Sequence, residues 1–316
     1  MKAILGGVGV GLVFFVGWAA LSGLHLRPAE EIQATSSTES PFHVPQQFLP
    51  VPDLNRPFDF AGQPLPMDNF DVRERLDLEL MRNAYFHRNT LLLLKRSSRY
   101  FPTIERILRE ADLPEDLKYL AAAESGLANV RSPAGARGVW QFMAPTARSF
   151  GLEVNQEVDE RLHLEKSTRA AATYLKQYHR QFGDWHKVAA AYNMGGPNLK
   201  KWLHRQRAAE LFDLDINSET MQYLFRIVAL KTILQEPEAF GYRLEAADGY
   251  APLTDYRTVT VTRSLPNLGD FAVAQGTTYR MLKRYNPWLV AGSLTVRRGK
   301  SYDIRIPNAI IPPRSE

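Results

Sequence analysis

The segment LPEDLKYLAAAESGL, residues Leu113–Leu127, has the spacing of an amphipathic helix that carries an acid. Four residues recur at i, i+3, i+4 and i+7 and so share one face of a helix; they are Leu117, Leu120, Ala121 and Glu124. Gly126 predicts the end of the helix, because glycine readily adopts the left-handed conformation of a helix C-cap. An ionisable side chain is therefore expected on the apolar face of a helix.

Glu124 has two interpretations when it is considered by position alone. Burial and the negative end of the helix macrodipole both disfavour a carboxylate, so both are expected to raise its pKa. A carboxyl group with a raised pKa suits general acid catalysis near neutral pH. A buried glutamate that is satisfied by an arginine or a tyrosine for structural reasons fits equally well, and the position leaves both possibilities open.

The central part of the chain predicts a mainly α-helical fold. Asp112 followed by Glu115 predicts a capping box at the start of the helix that contains Glu124. The other helices are expected at Asp71–Lys95, Tyr100–Ala111, Ala144–Ser149, Leu164–Phe182, Trp185–Met194, Asn198–Leu211 and Ser218–Gln235. No segment between residues 71 and 240 shows the alternation that is typical of a strand.

The N-terminal region predicts an export signal followed by a tether. Ala3–Leu24 is uncharged and long enough to span a bilayer core, so residues 1–25 are interpreted as a signal-anchor that leaves the body outside the cytoplasm. A cleaved signal peptide, with a site at residues 20–22, is the alternative. Residues 26–70 are rich in proline, which opposes long helices and predicts an extended linker.

Composition excludes several classes of function. The chain has no cysteine, which rules out disulfides, thiolate metal sites and cysteine nucleophiles. The seven histidines form no metal-binding pattern, so no metal and no cofactor is predicted. The formal net charge of +5 fits an anionic polymer or surface as partner, whereas scattered basic residues argue against nucleic acid.

Two further motifs carry residues that could bind a sugar. SPAGARGVWQFMAPTA, Ser132–Ala147, places Gln141 among aromatic residues, where its amide could meet an N-acetyl group or simply lie in a core turn. AAAYNMGG, Ala189–Gly196, ends a predicted helix at Gly195. In this second motif the Tyr192 hydroxyl could face a cleft or the core, and Asn193 lies near the helix end.

Four segments together resemble the lytic transglycosylase domain of glycoside hydrolase family 23, in particular its membrane-bound D type. These segments are ESGLANVRSPAGARGVWQFMAPTA, VDERLHLEKSTRAAATYL, FGDWHKVAAAYNMGG and SETMQYLFRIVALKTIL. The resemblance covers roughly Asp71–Glu236 and implies a lysozyme-like, all-helical catalytic domain over residues 71–245. It also implies that Asp159 and Arg161 have a mainly structural role.

The same resemblance assigns roles to the candidate site residues. It makes Glu124 the single catalytic acid and base, at the Glu-Ser position of the family. The substrate-binding positions that it implies are Ser132, Gln141, Tyr192, Asn193, Glu219 and Tyr223. Of these, Tyr223 is expected to bring its hydroxyl near Glu124.

The implied function is non-hydrolytic cleavage of the β-1,4 bond between MurNAc and GlcNAc in peptidoglycan, which leaves 1,6-anhydro-MurNAc ends. A lysozyme-type muramidase on the same fold and a non-catalytic peptidoglycan-binding scaffold are the alternatives. The implied partners are glycan strands and, through the N-terminal segment, a membrane, together with cell-wall machinery that the sequence does not identify. The expected location is the bacterial cell envelope, with the catalytic domain anchored at the inner membrane and facing the periplasm, or exported after signal cleavage.

The C-terminal region, residues 246–316, predicts a small βααβ module. Strands are expected at Tyr256–Thr262 and Ser301–Ile306, and helices at Leu268–Gln275 and Thr278–Tyr285. Residues 256–307 resemble a LysM repeat, which implies peptidoglycan recognition. The Gly-Asp-Thr that is usual near the first helix is replaced by RSLPNLG, so glycan binding and a packing role both stay open.

Overall fold

Helices dominate the part of the chain that the structure, a computed structural model, describes, which is residues 51–308. The predicted signal-anchor lies outside these residues. Within residues 51–308, no helix is both long enough and apolar enough to cross a membrane. The described residues confirm a mainly α-helical fold that is followed by a small βααβ module.

Eight helices surround the central core. They are α1 (Phe70–Tyr85), α2 (His87–Glu110), α3 (Lys118–Ser125), α4 (Ala144–Ser149), α5 (Leu164–Phe182), α6 (Trp185–Met194), α7 (Gly196–Gln206) and α8 (Ser218–Gln235). Helices α4, α5, α6 and α8 confirm their predicted bounds. Helix α7 is displaced from the prediction, because it starts directly after the Gly195 cap and stops at Arg207, whose φ of 57° is left-handed.

The boundary between α1 and α2 differs from the prediction. Helix α1 ends before Phe86, and α2 then runs without interruption through Pro102. The sequence predicted the boundary between the two helices at residues 96–99. A proline inside a helix removes one backbone hydrogen bond. Apolar residues on both sides of Pro102, including Leu93 and Ile104, are nonetheless buried on one stripe, so their packing holds the helix together.

Helix α3 starts later than predicted. Residues Glu115–Leu117 form a 3₁₀ turn, and no side chain caps it. The predicted capping box is wrong, because Glu115 instead pairs with Arg109 at 2.6 Å and Asp112 has a φ of 49°. The predicted stop is confirmed, since Gly126 adopts the left-handed conformation with a φ of 58°. The apolar face is confirmed as well: Leu117, Leu120 and Ala121 are fully buried.

A small hairpin precedes the helices, in the region where a tether was predicted. Strand β1 (Asp59–Phe60) pairs antiparallel with β2 (Gln63–Pro64). Phe58, Phe60 and Leu65 are buried in the central core. The extended linker predicted for residues 26–70 therefore does not reach Phe70, because large apolar side chains from Phe58 onward gain more from burial than from exposure.

The C-terminal module confirms the predicted order of its elements. Strand β3 (Tyr256–Val261) pairs antiparallel with β4 (Tyr302–Pro307), and helices α9 (Leu268–Ala274) and α10 (Tyr279–Tyr285) lie between them in sequence. Side chains of both helices and both strands form a second core. Val158 from the helical region is buried in this same core, so the module packs directly against the rest of the described chain.

Candidate functional site

Glu124 lies in the last turn of α3 and faces α8. The Tyr223 hydroxyl donates a hydrogen bond to Oε1 of Glu124 at 2.5 Å. Tyr223 is almost completely buried, whereas Glu124 is only partly buried. The pair therefore lies at the edge of the core, with the Glu124 side chain partly accessible to solvent. The structure confirms that the two side chains are close together.

The surroundings of Glu124 favour its protonated form. Burial raises the pKa of the Glu124 carboxyl to about 7, and the negative charge of Glu219 acts in the same direction. The Tyr223 hydrogen bond and the Arg226 guanidinium oppose this rise, because both stabilise the carboxylate. A group with this pKa can be both a proton donor and a proton acceptor near neutral pH.

The loop that contains Ser132 and Gln141 uses most of its polar groups internally. The Ser132 hydroxyl accepts a hydrogen bond from the Ala136 amide at 3.0 Å, which closes a turn. The Gln141 side-chain nitrogen donates to the carbonyl of Gly138 at 2.7 Å and to that of Val130 at 3.2 Å. With these donors engaged, the Gln141 side-chain oxygen is the part of this amide that is left to accept a bond from a ligand.

A buried ion pair fixes this loop in place. Arg161 donates to both carboxylate oxygens of Asp159, at 2.8 and 2.7 Å, and both side chains are buried. The same guanidinium donates to the carbonyls of Gly135 and Phe142, at 3.0 and 3.1 Å. Bidentate pairs of this kind are geometrically specific. The mainly structural role expected for Asp159 and Arg161 agrees with these contacts.

Tyr192 and Asn193, at the end of α6, make hydrogen bonds with the loop that contains Gln141 and with α8. The Tyr192 hydroxyl donates to the main-chain carbonyl of Trp140 at 2.7 Å, which is adjacent to Gln141. Asn193 accepts a hydrogen bond from the Thr220 hydroxyl at 2.8 Å. Burial first, and the charge of Glu124 second, raise the pKa of both Tyr192 and Tyr223, so both hydroxyls stay protonated at neutral pH.

Glu219 belongs to a charged network that the sequence did not suggest. Its exposed carboxylate accepts a bond from Arg226 at 3.0 Å. Arg226 also lies 3.5 Å from the carboxylate of Glu79, which is buried on α1. Glu79 could have been found by the signal that revealed Glu124, because it lies on the apolar stripe of its own helix, between Leu76 and Leu80.

Residues 101–213 match the transglycosylase SLT domain. The chain therefore carries a lytic transglycosylase domain of the SLT type. Glu124 and the loop that contains Ser132 and Gln141 lie inside the matched range, whereas Glu219 and Tyr223 follow it in α8. The second match, over residues 257–309, is the LysM-like C-terminal domain of soluble lytic transglycosylases.

A curated relative is similar to this chain over part of its length. The chain is 30% identical over 198 residues to the membrane-bound lytic murein transglycosylase D of Escherichia coli K12, which covers 60% of this chain and 43% of that protein. The match thus spans less than half the length of this relative.

Two solved structures are similar to part of this chain. The 70 kDa soluble lytic transglycosylase of Escherichia coli is 20% identical with a TM-score of 0.38, over 59% of this chain and 36% of that one. An inactive mutant of the lytic transglycosylase Slt of Pseudomonas aeruginosa is 23% identical with a TM-score of 0.37, over 48% of this chain and 26% of that one.

The LysM-like module makes hydrogen bonds with the segment that contains Asp159 of the buried ion pair. The Asp159 amide donates to the Trp288 carbonyl at 2.8 Å, and the Val290 amide donates to the Glu157 carbonyl at 2.9 Å. The Glu157 carboxylate accepts a further bond from the Ser293 hydroxyl at 2.7 Å. These contacts favour the packing interpretation of the module, and glycan binding by it stays a prediction.

No metal centre accompanies the SLT site in the part of the chain that the structure describes. Across residues 51–308, no three His, Cys, Asp or Glu side chains lie close enough together to hold an ion. The described residues of the site can exchange a proton through Glu124 and form hydrogen bonds through the amide and hydroxyl groups around it.

Proposed function

We propose that this protein cleaves the β-1,4 bond between MurNAc and GlcNAc in peptidoglycan without water, and leaves 1,6-anhydro-MurNAc ends. The observation that supports this most directly is the Glu124 carboxyl, whose pKa is about 7 and whose Oε1 accepts a 2.5 Å bond from Tyr223. The SLT domain match gives the substrate class. Glu124 is the catalytic acid and base of this proposal.

In the first step, protonated Glu124 gives its proton to the glycosidic oxygen. The Tyr223 bond occupies Oε1, so Oε2 is the oxygen that carries the proton to the substrate. The same bond stabilises the carboxylate that is left behind, which lowers the cost of the transfer. The Gln141 side-chain oxygen, with its amide donors engaged in the loop, is suited to accept the N–H of an N-acetyl group.

A single carboxyl group then has to complete the reaction. Most glycosidases use two carboxylates, but substrate-assisted enzymes are an exception. Glu219 and Glu79 are both paired with Arg226, at 3.0 and 3.5 Å, so neither of them is placed as a second catalytic carboxylate in this proposal. The N-acetyl group of the muramyl sugar stabilises the developing positive charge, and Glu124, now a carboxylate, takes the proton of the sugar's own 6-hydroxyl as this attacks. An intramolecular nucleophile has an effective molarity on the order of 10⁵ M or more, which favours it over water.

The product distinguishes this proposal from its alternatives. Purified sacculi are digested with the full-length protein, and the released muropeptides are measured by mass spectrometry. Products that end in 1,6-anhydro-muramic acid and are one water lighter than lysozyme products are expected. Reducing ends would instead make the protein a muramidase on the same fold, and binding without release would make it a scaffold.

Removing the Tyr223 hydroxyl tests the acid directly. In Tyr223→Phe, the pKa of Glu124 rises further, because a bond that stabilises the carboxylate is lost. The protonated acid then persists to higher pH, so the basic limb of the kcat/KM profile moves upward. The maximal rate falls by about 10²-fold or less, since orientation is lost while the acid remains. The measurement is the pH dependence of glycan cleavage.

Tyr119→Phe is the matched control for this variant. Tyr119 is also buried and lies on α3, but its hydroxyl makes no hydrogen bond with Glu124. Its pH profile is expected to keep the wild-type basic limb. If Tyr223→Phe leaves that limb where it is, Glu124 is not the group whose protonation controls the reaction.

The proposal includes a setting in the cell envelope. A peptidoglycan substrate requires that the SLT domain be outside the cytoplasm, which agrees with the apolar N-terminal segment predicted from the sequence. The partners in this setting are glycan strands and, through residues 1–25, the inner membrane. No partner protein is proposed.

A further inference from the structure

Glu79 is a carboxylate that lies almost entirely inside the fold, although it takes no part in the reaction proposed above. It is on α1, and only 1% of its surface is exposed. Burying a charge destabilises a protein unless the charge is paired and hydrogen-bonded. The contacts of Glu79 therefore show what keeps this charge inside the fold.

Two guanidinium groups contact Glu79, one from its own helix and one from α8. Nη1 of Arg82 donates to its Oε1 at 2.8 Å, and Nε of Arg226 lies 3.5 Å from its Oε2. The Asn83 side-chain amide adds a longer contact with Oε2, at 3.4 Å. The Arg82 side chain is 56% exposed, whereas that of Arg226 is 27% exposed. Arg226 thus links the buried carboxylate to the helix that carries Tyr223.

Arg226 is held between two carboxylates. Its Nη1 donates to Oε1 of Glu219 at 3.0 Å, while its Nε faces Glu79. A cavity of about 500 Å³ adjoins the guanidinium and is lined also by Arg82 and Phe86. Packing therefore does not confine Arg226 on every side, and a long arginine side chain has much rotamer freedom to lose. Its position depends on the two carboxylates that it contacts.

The guanidinium of Arg226 lies next to the pair formed by Tyr223 and Glu124. Glu219, Tyr223 and Arg226 are spaced i, i+4 and i+7 on α8, so they share one face of this helix. Neighbours at this spacing have Cβ atoms about 5–6 Å apart. Tyr223 lies between the other two and donates to Glu124. The charge of Arg226 lowers the pKa of Glu124 and that of Glu219 raises it, so the position of Arg226 affects how readily Glu124 gives up its proton.

Helices α6 and α2 also place polar groups near Glu124. Tyr192 on α6 is uncharged near neutral pH, because burial raises its pKa. Arg96 on α2 donates to the main-chain carbonyl of Gly126, at 3.0 Å, just after the end of α3. The charges that act on Glu124 from α8 are those of Glu219 and Arg226, and α1 contributes to them through Glu79.

We propose that Glu79 is a positioning residue for the catalytic acid: it holds the Arg226 guanidinium toward α1 and away from Glu124, and so keeps the acid protonated near neutral pH. This inference rests on the proposed function, because it concerns the group that transfers the proton there. Arg82 pairs closely with Glu79 and largely cancels its direct field, so Glu79 acts on Glu124 through Arg226. Without Glu79, the guanidinium loses one of its two carboxylates and becomes available to pair with Glu124.

The test measures the pKa of Glu124 directly. Full-length protein with ¹³C at the glutamate carboxyl carbon is titrated by NMR, and the Glu124 signal is assigned by its absence in Glu124→Gln. In Glu79→Gln the titration midpoint is expected to fall by about 0.5–1 pH unit, because Arg226 then pairs with Glu124. In Arg226→Gln it should rise, since a charge that favours the carboxylate is lost. In the double variant the fall caused by Glu79→Gln should disappear, because Glu79 acts through Arg226.

Arg75→Gln is the matched control for Arg226→Gln. Arg75 also lies between α1 and α8, since it pairs with Asp71 and its guanidinium carbon is 5.8 Å from the ring centroid of Phe225. Its loss removes the same charge from the same interface and leaves the contact of Glu79 with Arg226 in place, so the midpoint should not move. Arg226→Lys keeps the charge and should titrate close to the wild type, which separates the charge from the packing of the side chain.

The titration also separates this inference from the proposed function. Opposite shifts in Glu79→Gln and Arg226→Gln support the inference even in a protein that hydrolyses glycan or does not cleave it. A midpoint that Glu79→Gln leaves unchanged, or a fall that persists in full in the double variant, overturns it. If Glu79→Gln does not fold, Arg226→Gln decides: a rise that Arg226→Lys does not show supports the inference, and no rise overturns it.

The pH dependence of kcat/KM on glycan is recorded for the same proteins. A basic limb that moves with the Glu124 midpoint in each variant supports both the inference and the proposed function. A limb that stays in place while the midpoint moves supports the contact of Glu79 with Arg226 as the device that tunes Glu124, and contradicts the role of Glu124 as the acid of the reaction. A loss of rate with no movement of either limb or midpoint would give Glu79 a purely structural role and overturn the inference.

Discussion

Glu124→Gln is expected to abolish glycan cleavage while leaving glycan binding intact. The amide keeps the shape of the side chain and can still accept the Tyr223 bond, but it can neither donate nor take up a proton in the reaction. Loss of a general acid-base group costs roughly 10² to 10⁴ in rate. In the proposed mechanism a single group serves both proton transfers, so the loss of rate should lie at or beyond the upper end of that range. Release of soluble muropeptides and co-sedimentation with sacculi are the two measurements.

The same substitution should make the protein more stable at alkaline pH. Burial raises the pKa of Glu124 from 4.5 to about 7, so the folded state holds this proton more tightly than the unfolded state does. Stability is therefore lost as the pH rises from about 4.5 through about 7. The effect is about 3 kcal/mol at most, from the energy equivalent of a pKa shift. The melting temperature of Glu124→Gln relative to wild type should increase between pH 5 and pH 8.

Glu115→Gln provides the control for both measurements. Glu115 lies on the 3₁₀ turn that precedes α3, is partly exposed and pairs with Arg109. Its loss should change neither cleavage nor the pH dependence of melting, because exposed ion pairs contribute little. Cleavage by Glu124→Gln at more than about a tenth of the wild-type rate would contradict the role of Glu124.

Periodicity predicted the parts of this fold in which a single helix face is buried. Helices α5, α6 and α8 have the bounds expected from the sequence, and the apolar stripe of α3 lies in the core. Local signals were less reliable at helix starts. The Asp112 and Glu115 pair matches a capping box, but in the structure Glu115 contacts Arg109, which lies six residues earlier at the end of α2 and outside the spacing of a capping box.

The sequence predicted which residues belong to the candidate site, but it did not predict most of the hydrogen bonds that they form. The contact of Tyr223 with Glu124 joins residues that are 99 apart, and it was expected only through the family resemblance. The Arg226 network was missed because it depends on how α1 and α8 pack. The bond of Tyr192 with the Trp140 carbonyl was equally invisible, since tertiary packing decides where a hydroxyl points.

Gly138→Ala is expected to cause the largest loss of stability at the site. Gly138 has a φ of 84°, and an added Cβ would overlap the carbonyl of Arg161, at 2.9 Å from its carbon and nearer still to its oxygen. Arg161 cannot give way, because its guanidinium is held by Asp159, Gly135 and Phe142. We expect a cost of about 3–5 kcal/mol, measured as the free energy of unfolding in urea.

Gly135→Ala separates this steric effect from backbone strain. Gly135 has a similar φ of 89°, but a Cβ there meets nothing within 4 Å. Its substitution should cost only about 1–2 kcal/mol, the strain of a left-handed alanine. Cleavage should follow the same order, because displacement of Gly138 moves the carbonyl that holds the Gln141 amide, and a shift of about 1 Å can cost 10²-fold in rate. Equal losses of stability in the two variants would contradict this prediction. They would mean that the close approach of Gly138 to the Arg161 carbonyl does not determine the stability of the loop.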